Sequence, residues 1–231
     1  MNPVRIAENL AAVRGRITDA ARRSGRESSA VKLVAVTKRN APEIVRELVR
    51  FGHLDLGENY PQELWSKAES LADLPVRWHL IGHLQGNKAK KTVPIVRFLH
   101  GVDSLKLLRS LDEMVAGMAD PPLACLQVNL SGEDSKHGWS TEEILADAEA
   151  IAACRALPIV GLMTIAGYGT TNEEARPTFA SLHLLRDRMR ERTGLPLPEL
   201  SMGMSGDYEA AIEEGATLVR VGSALFEGAV G

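Results

Sequence analysis

A chain of 231 residues, 45% of them hydrophobic, is long enough to bury one sizeable core and falls in the range of a single α/β barrel domain. Its 27 basic and 30 acidic residues nearly cancel; a net charge of −3 sets up no global field that would steer it to nucleic acid or an anionic membrane, so any anion site has to be local. Two cysteines, Cys125 and Cys154, lie outside any CxxC pattern, and no apolar run approaches the roughly 20 residues that span a bilayer; disulfide framework, structural zinc and membrane span are all disfavoured, and a cytoplasmic setting is expected.

Along the chain, Ile6, Leu10, Val13 and Ile17 recur at spacings of four, three and four, which predicts an amphipathic N-terminal helix. Glu8 and Asp19 speak against a transit peptide, and a helix covering one end of a barrel is expected instead. Short β-branched, apolar runs follow at 32–37, 53–56, 76–81, 98–102, 124–129, 159–164, 199–202 and 217–221. Between them lie helix-like stretches at 42–50, 62–71, 105–118, 141–153, 173–192 and 208–213. Such alternation means parallel strands with helical crossovers, and eight βα units predict closure into a single (β/α)8 TIM-type barrel with an extra N-terminal helix. A doubly wound open sheet is the alternative, but its GxGxxG fingerprint and the GxxxxGK[ST] loop are both missing. Residues 1–231 are expected to form one domain, since no linker, repeat or low-complexity tract divides them. Asn129-Leu130-Ser131 matches a glycosylation sequon, which carries no meaning in a cytoplasmic chain.

In such a barrel the chemistry sits at the C-terminal ends of the strands. The first predicted strand ends Ala35-Val36-Thr37-Lys38, the second Gly57-Glu58-Asn59-Tyr60, and the third His79-Leu80-Ile81-Gly82. Later strand ends are Gly161-Leu162-Met163-Thr164, Gly203-Met204-Ser205-Gly206 and Arg220-Val221-Gly222-Ser223. Lys38 alone could be a solvated boundary residue. The last two loops combine glycines, the Ser205 and Ser223 hydroxyls and following short helices, which is the chemistry of a phosphate site, although glycine and serine also simply turn a chain. Together with a strand-end lysine they point to a phosphorylated carbonyl ligand. A lysine attacks an aldehyde only as the neutral amine, yet its ordinary pKa is about 10.4. Burial at a mouth lined by Val36, Ile81 and Met163 is the expected means of lowering it.

Taken with Gln85, Asn87-Lys88, Asn129, Ser135-Lys136, Asp207 and Glu209-Ala210-Ala211-Ile212, these motifs resemble the pyridoxal phosphate homeostasis protein family over essentially the whole chain. The resemblance implies a barrel like the N-terminal domain of alanine racemase, which binds pyridoxal 5′-phosphate without established enzymatic turnover and serves cofactor homeostasis. It further implies that Lys38 is the Schiff-base lysine and that Ser205, Gly222 and Ser223 hold the phosphate. On the same basis Arg220 approaches the pyridine nitrogen, and Asn59, His79 and Met163 line the pocket. The chain departs from the commoner pattern at Arg39-Asn40, His83, Gly86, His137 and Gly206, all of which flank these positions without removing them.

An arginine cannot pass its proton to the pyridine nitrogen, so the ring beside Arg220 would be a poor electron sink and carbanion chemistry would be weakened. That favours a cofactor carrier, with apo-enzymes dependent on the cofactor as its expected partners. The alternative is an amino-acid racemase on the same barrel, but the racemases add a β-rich second domain, and this chain ends shortly after its last phosphate loop. A Schiff-base aldolase would need an acid/base partner near the lysine and no pyridine-facing arginine. His53, His100 and His183 show no metal-ligand spacing, and His79 with His83 straddle a strand end, so no metal is expected. Lys88 and Lys136 are solvated loop lysines or second amines near the pocket.

Overall fold

Asn2 starts the first helix: its side-chain carbonyl accepts the Arg5 amide at 3.2 Å, and Pro3 fills the first helical position, where its missing N–H costs nothing. The computed structural model describes residues 2–130, 137–167, 169 and 171–229. Helix α1 (Pro3–Arg23) buries the expected stripe of Ile6, Leu10, Val13 and Ile17. It joins the outer layer, against α2 (Pro42–Arg50), α9 (Tyr208–Glu213) and α10 (Ser223–Phe226). Asn9 Nδ2 donates to the Leu225 and Glu227 carbonyls, and Arg23 pairs with Glu209 and Glu213, so the chain's first helix is tied to its last two. Arg14 Nη2 lies 3.4 Å from His53 Nδ1, where the helix meets the N-terminal end of the barrel.

Eight parallel strands among the described residues close the barrel in sequence order: β1 (Lys32–Val36), β2 (Asp55–Glu58), β3 (Arg77–Leu80), β4 (Val96–Val102), β5 (Leu123–Gln127), β6 (Ile159–Met163), β7 (Glu199–Ser201) and β8 (Leu218–Val221). Closure is made by β8 on β1, with Lys32 opposite Leu218 and Ala35 opposite Val221. Two apolar layers result. Val34, Val36, Phe98, Cys125, Met163 and Leu218 form a cluster distinct from the larger one, in which strand residues such as Leu33, Ala35 and Leu56 meet the helices. The alternation along β1 follows from the two-residue period of a strand. The fold is therefore the (β/α)8 barrel expected from the sequence, with α1 added.

Three elements differ from expectation for identifiable reasons. Strand β2 lies further along than 53–56 and ends on Glu58, a residue with no solvent exposure, because Lys67 on α3 (Pro61–Ser70) offsets its charge. Helix α4 (Gly86–Thr92) has no apolar stripe to betray it; Trp65 Nε1 donates to Thr92 Oγ1 at 3.1 Å and Lys91 sits over the Trp65 ring. The single helix expected over 141–153 is two, α6 (Thr141–Ala146) and α7 (Ala148–Ala153), broken at Asp147, whose carboxylate accepts the Trp139 indole N–H at 2.9 Å. Helices α5 (Leu105–Val115) and α8 (Asn172–Thr193) complete the outer layer. Among the described residues no helix is long and apolar enough to cross a membrane.

Candidate functional site

Strand β1 delivers Lys38 through a clamped backbone. Thr37, fully buried, donates its amide to the Gly57 carbonyl at 3.0 Å and its hydroxyl to Glu58 Oε1 at 2.5 Å. Lys67 Nζ donates both to the Thr37 carbonyl at 2.7 Å and to Glu58 Oε1 at 2.6 Å. Burial pushes the Glu58 carboxyl upward, while the bonds from Lys67 and Thr37 pull it back, and Glu58 Oε2 is buried without a hydrogen-bond partner. Beyond Lys38, Arg39 takes φ +64°, an uncommon setting for a side chain other than glycine, and the Asn40 amide returns to the Thr37 carbonyl at 3.0 Å. Lys38 is thus fixed on both sides. Its own side chain is exposed, not buried as expected from the sequence.

Beside β1, at the seam where β8 closes the barrel, stand the loops after β7 and β8. Gly203 has φ +93°, and a Cβ there would lie 2.6 Å from Ala211 Cβ, so the tight turn out of β7 requires glycine. Asp207 Oδ1 accepts the Met204 amide at 2.5 Å and closes that turn; burial raises its pKa, against the pull of that bond and of Arg220. The two loops are tied together where Gly222 N–H donates to Ser205 Oγ at 3.1 Å. A Cβ on Gly222 would press on Val36 at 3.3 Å, and one on Gly82 would collide with the Asn59 carbonyl, so backbone approaches closely on both flanks. A side chain at Gly206 would meet no atom within 4 Å.

These elements enclose a cavity of about 380 Å³ lined by Lys38, Asn59, Ser205, Arg220, Gly222 and Ser223, with Val36, Ile81 and Ile165 as apolar walls. A larger groove lies beside Trp65 and Trp78 on the barrel's flank, away from the strand ends that carry convergent polar groups. Six of the eight residues proposed from the sequence therefore meet at one cavity. His79 and Met163 do not line it. Met163 is fully buried in the apolar cluster with Val36 and Ile81, directly behind two of the walls. Lys88 stands on α4, off the cavity, and Lys136 lies outside the described residues.

His79 instead belongs to a polar column through the barrel. Arg220 Nη1 donates to Ser201 Oγ at 2.6 Å; His100 Nδ1 is 2.7 Å from the same oxygen, and His100 Nε2 is 2.9 Å from His79 Nδ1. His79 Nε2 reaches Asp55 Oδ1 at 3.1 Å, and Arg77 holds both carboxylate oxygens. A carboxylate only accepts, so His79 donates to Asp55 through Nε2–H, and with both buried rings neutral the direction of the remaining bonds follows. Ser201 donates to His100, His100 donates through Nε2–H to His79, and His79 donates through Nε2–H to Asp55. Both rings are neutral in this scheme, consistent with burial lowering the pKa of each. Burial alone would raise the Asp55 pKa, but Arg77 and His79 hold it well below the usual carboxylate range.

Arg220 ends this column at the cavity. It is almost fully buried, and its Nη2 donates to the Thr164 carbonyl at 3.0 Å. Desolvation pulls its pKa down to about 10, with Asp207 acting the other way, so it is still a cation at neutral pH. Ser201 and His100 carried no functional signal in the sequence, and strand spacing alone does not show which polar residues face inward toward one another. Glu58 and Lys67 gave only the weak hint of a carboxylate at a strand end. The fold also gathers His83, Asp103 and His137, which sequence spacing did not connect.

Residues 8–229 match the family described as alanine racemase, N-terminal domain. A relative from Pseudomonas aeruginosa, named pyridoxal phosphate homeostasis protein, is 44% identical over 96% of this chain and 94% of its own. The solved structure of PipY from Synechococcus elongatus with pyridoxal phosphate bound superposes with a TM-score of 0.85 at 37% identity, covering 96% of this chain and 99% of that one. Alanine racemase from Corynebacterium glutamicum shares the fold, with a TM-score of 0.73 at 16% identity over 98% of this chain and 61% of the racemase.

Proposed function

This chain belongs to the pyridoxal phosphate homeostasis protein family, and from that premise we propose that it holds pyridoxal 5′-phosphate as a Schiff base on Lys38 and serves cofactor homeostasis and delivery, not metabolic turnover. The observation that carries the reading is Arg220: a buried cation, fixed by Ser201 and Thr164, that faces the same cavity as Lys38. The residues present fit the group. Lys38 and the glycine-lined Ser205 and Gly222 loops, where close backbone approach is possible, line the same cavity from neighbouring strands.

Ser205, Gly222 and Ser223 would hold the phosphate through hydroxyl and backbone N–H groups, and Asn59 would bound the ring from the side of β2. Arg220 would face the ring nitrogen. The bound cofactor would supply an electrophilic aldehyde and a conjugated ring; Arg220, which donates hydrogen bonds but cannot release its proton at neutral pH, keeps that ring a weak electron sink. Met163 acts from behind the Val36 and Ile81 walls, and His79 through the column that fixes Arg220. Residues 1–231 act as one barrel domain in this reading, and Cys125 and Cys154, both free and buried, fit a reducing cytoplasm. The partners are the cofactor itself and apo-enzymes that receive it.

Borohydride reduction of the cofactor-loaded protein, digestion and mass spectrometry test the assignment. The pyridoxyl group is expected on the peptide containing Lys38. Its recovery only on Lys88 or Lys136 overturns the reading.

A further inference from the structure

His83 and Asp103 follow the ends of β3 and β4, and His137 lies in the loop between β5 and α6, on the side of the mouth away from the Ser205 and Gly222 loops. His83 Nδ1 lies 2.5 Å from Asp103 Oδ2, and His137 Nδ1 lies 3.8 Å from the same oxygen. The two imidazoles stack, with centroids 4.3 Å apart and planes within 10°. One ligand atom from each residue lies within 4.8 Å of the other two.

The charge balance of this cluster is unusual. Only 7% of the Asp103 side chain is exposed, so its carboxylate has lost most of its water. Among the described residues its ion-pair partners are the two imidazoles, with no lysine or arginine. A carboxylate so placed calls for a compensating cation. The backbones presenting these groups are also fixed. Gln127 Nε2 donates to the His137 carbonyl at 2.8 Å, and the next residue, Gly138, has φ +117° with a would-be Cβ only 2.7 Å from the Gln127 carbonyl. His83 follows Gly82, which is wedged against Asn59. Ligands on anchored backbone are the arrangement a metal site needs.

We propose that His83, Asp103 and His137 bind one divalent transition-metal ion of the zinc type, leaving at least one coordination position open. Two imidazole nitrogens and one carboxylate suit zinc, cobalt or nickel better than magnesium or calcium, which prefer all-oxygen sites. The ion takes the place of the His83–Asp103 hydrogen bond. His137, with 62% of its side chain exposed, has room to turn its Nδ1 onto the ion. Such an ion would sit one residue from Gly82, which lines the cofactor cavity, but its binding does not depend on Lys38.

The test is titration of the chelator-stripped, full-length protein with cobalt(II), read by its visible ligand-field bands, followed by displacement with zinc(II) in a calorimeter. One equivalent should bind with micromolar affinity or better. His137→Ala, an exposed change that leaves the fold intact by thermal unfolding, should weaken binding about tenfold or more, and Asp103→Asn should do likewise. No saturable uptake of cobalt or zinc by the parent protein overturns the proposal, as does equal affinity in the parent and both variants.

Discussion

Replacing Ser201 with alanine removes the hydroxyl that joins Arg220 to His100 inside the barrel. Ser201 is fully buried and accepts from Arg220 Nη1 at 2.6 Å while lying 2.7 Å from His100 Nδ1. The substitution therefore forfeits a hydrogen bond to a charged group, worth about 1.5–3 kcal/mol, and leaves a buried imidazole acceptor unpaired at about 1–3 kcal/mol. The space vacated by one oxygen is too small to admit a water that would make good either loss. A destabilisation of about 3–5 kcal/mol follows, a large part of the total stability of an ordinary domain. Urea unfolding of the two proteins should show it as a lower midpoint at unchanged slope. Ser70→Ala, at an exposed position, should stay within about 0.5 kcal/mol. A loss below about 1 kcal/mol for Ser201→Ala would refute the column as described. So would nitrogen NMR showing His79 or His100 protonated on Nδ1, since Asp55 at the end of a column of neutral imidazoles requires Nε2–H on both rings.

Ser205→Ala should lower cofactor affinity by roughly one to two orders of magnitude, the worth of a hydroxyl bond to a charged acceptor, and equal affinity on titration would remove Ser205 from the phosphate site. Arg220→Gln removes the buried cation that is proposed to face the ring nitrogen. The visible band of bound cofactor should move and its reactivity toward added amino acids should rise; an unchanged spectrum at normal occupancy would show that Arg220 does not face the ring. His53, whose pKa burial lowers to about 4 with help from Arg14, binds fewer protons folded than unfolded between about pH 6.5 and pH 4. Stability is thus lost as pH falls through that window, and His53→Asn should flatten the slope by up to about 1.4 kcal/mol per pH unit; identical slopes for the two proteins would contradict the assigned shift.

What the sequence determined by itself was periodic or terminal. The short β-branched, apolar runs alternating with helical stretches, and the helical stripe of Ile6, Leu10, Val13 and Ile17, carried the barrel and its extra helix, because parallel strands are buried on both faces and an outer helix on one. Lys38, Asn59, Ser205, Arg220, Gly222 and Ser223 could be found because a parallel barrel brings all its C-terminal strand ends to one mouth. Position at a strand end did not determine which way a side chain points. Met163 went behind the wall, His79 went into the column with His100 and Ser201, and Lys38 stayed exposed. Nor did spacing anticipate Glu58 with Lys67, or His83 with Asp103 and His137. Those groups come from separate strands and helices, and only closure of the barrel sets the distances between them. Burial and charge pairing, which depend on those distances, could be decided only by the tertiary structure.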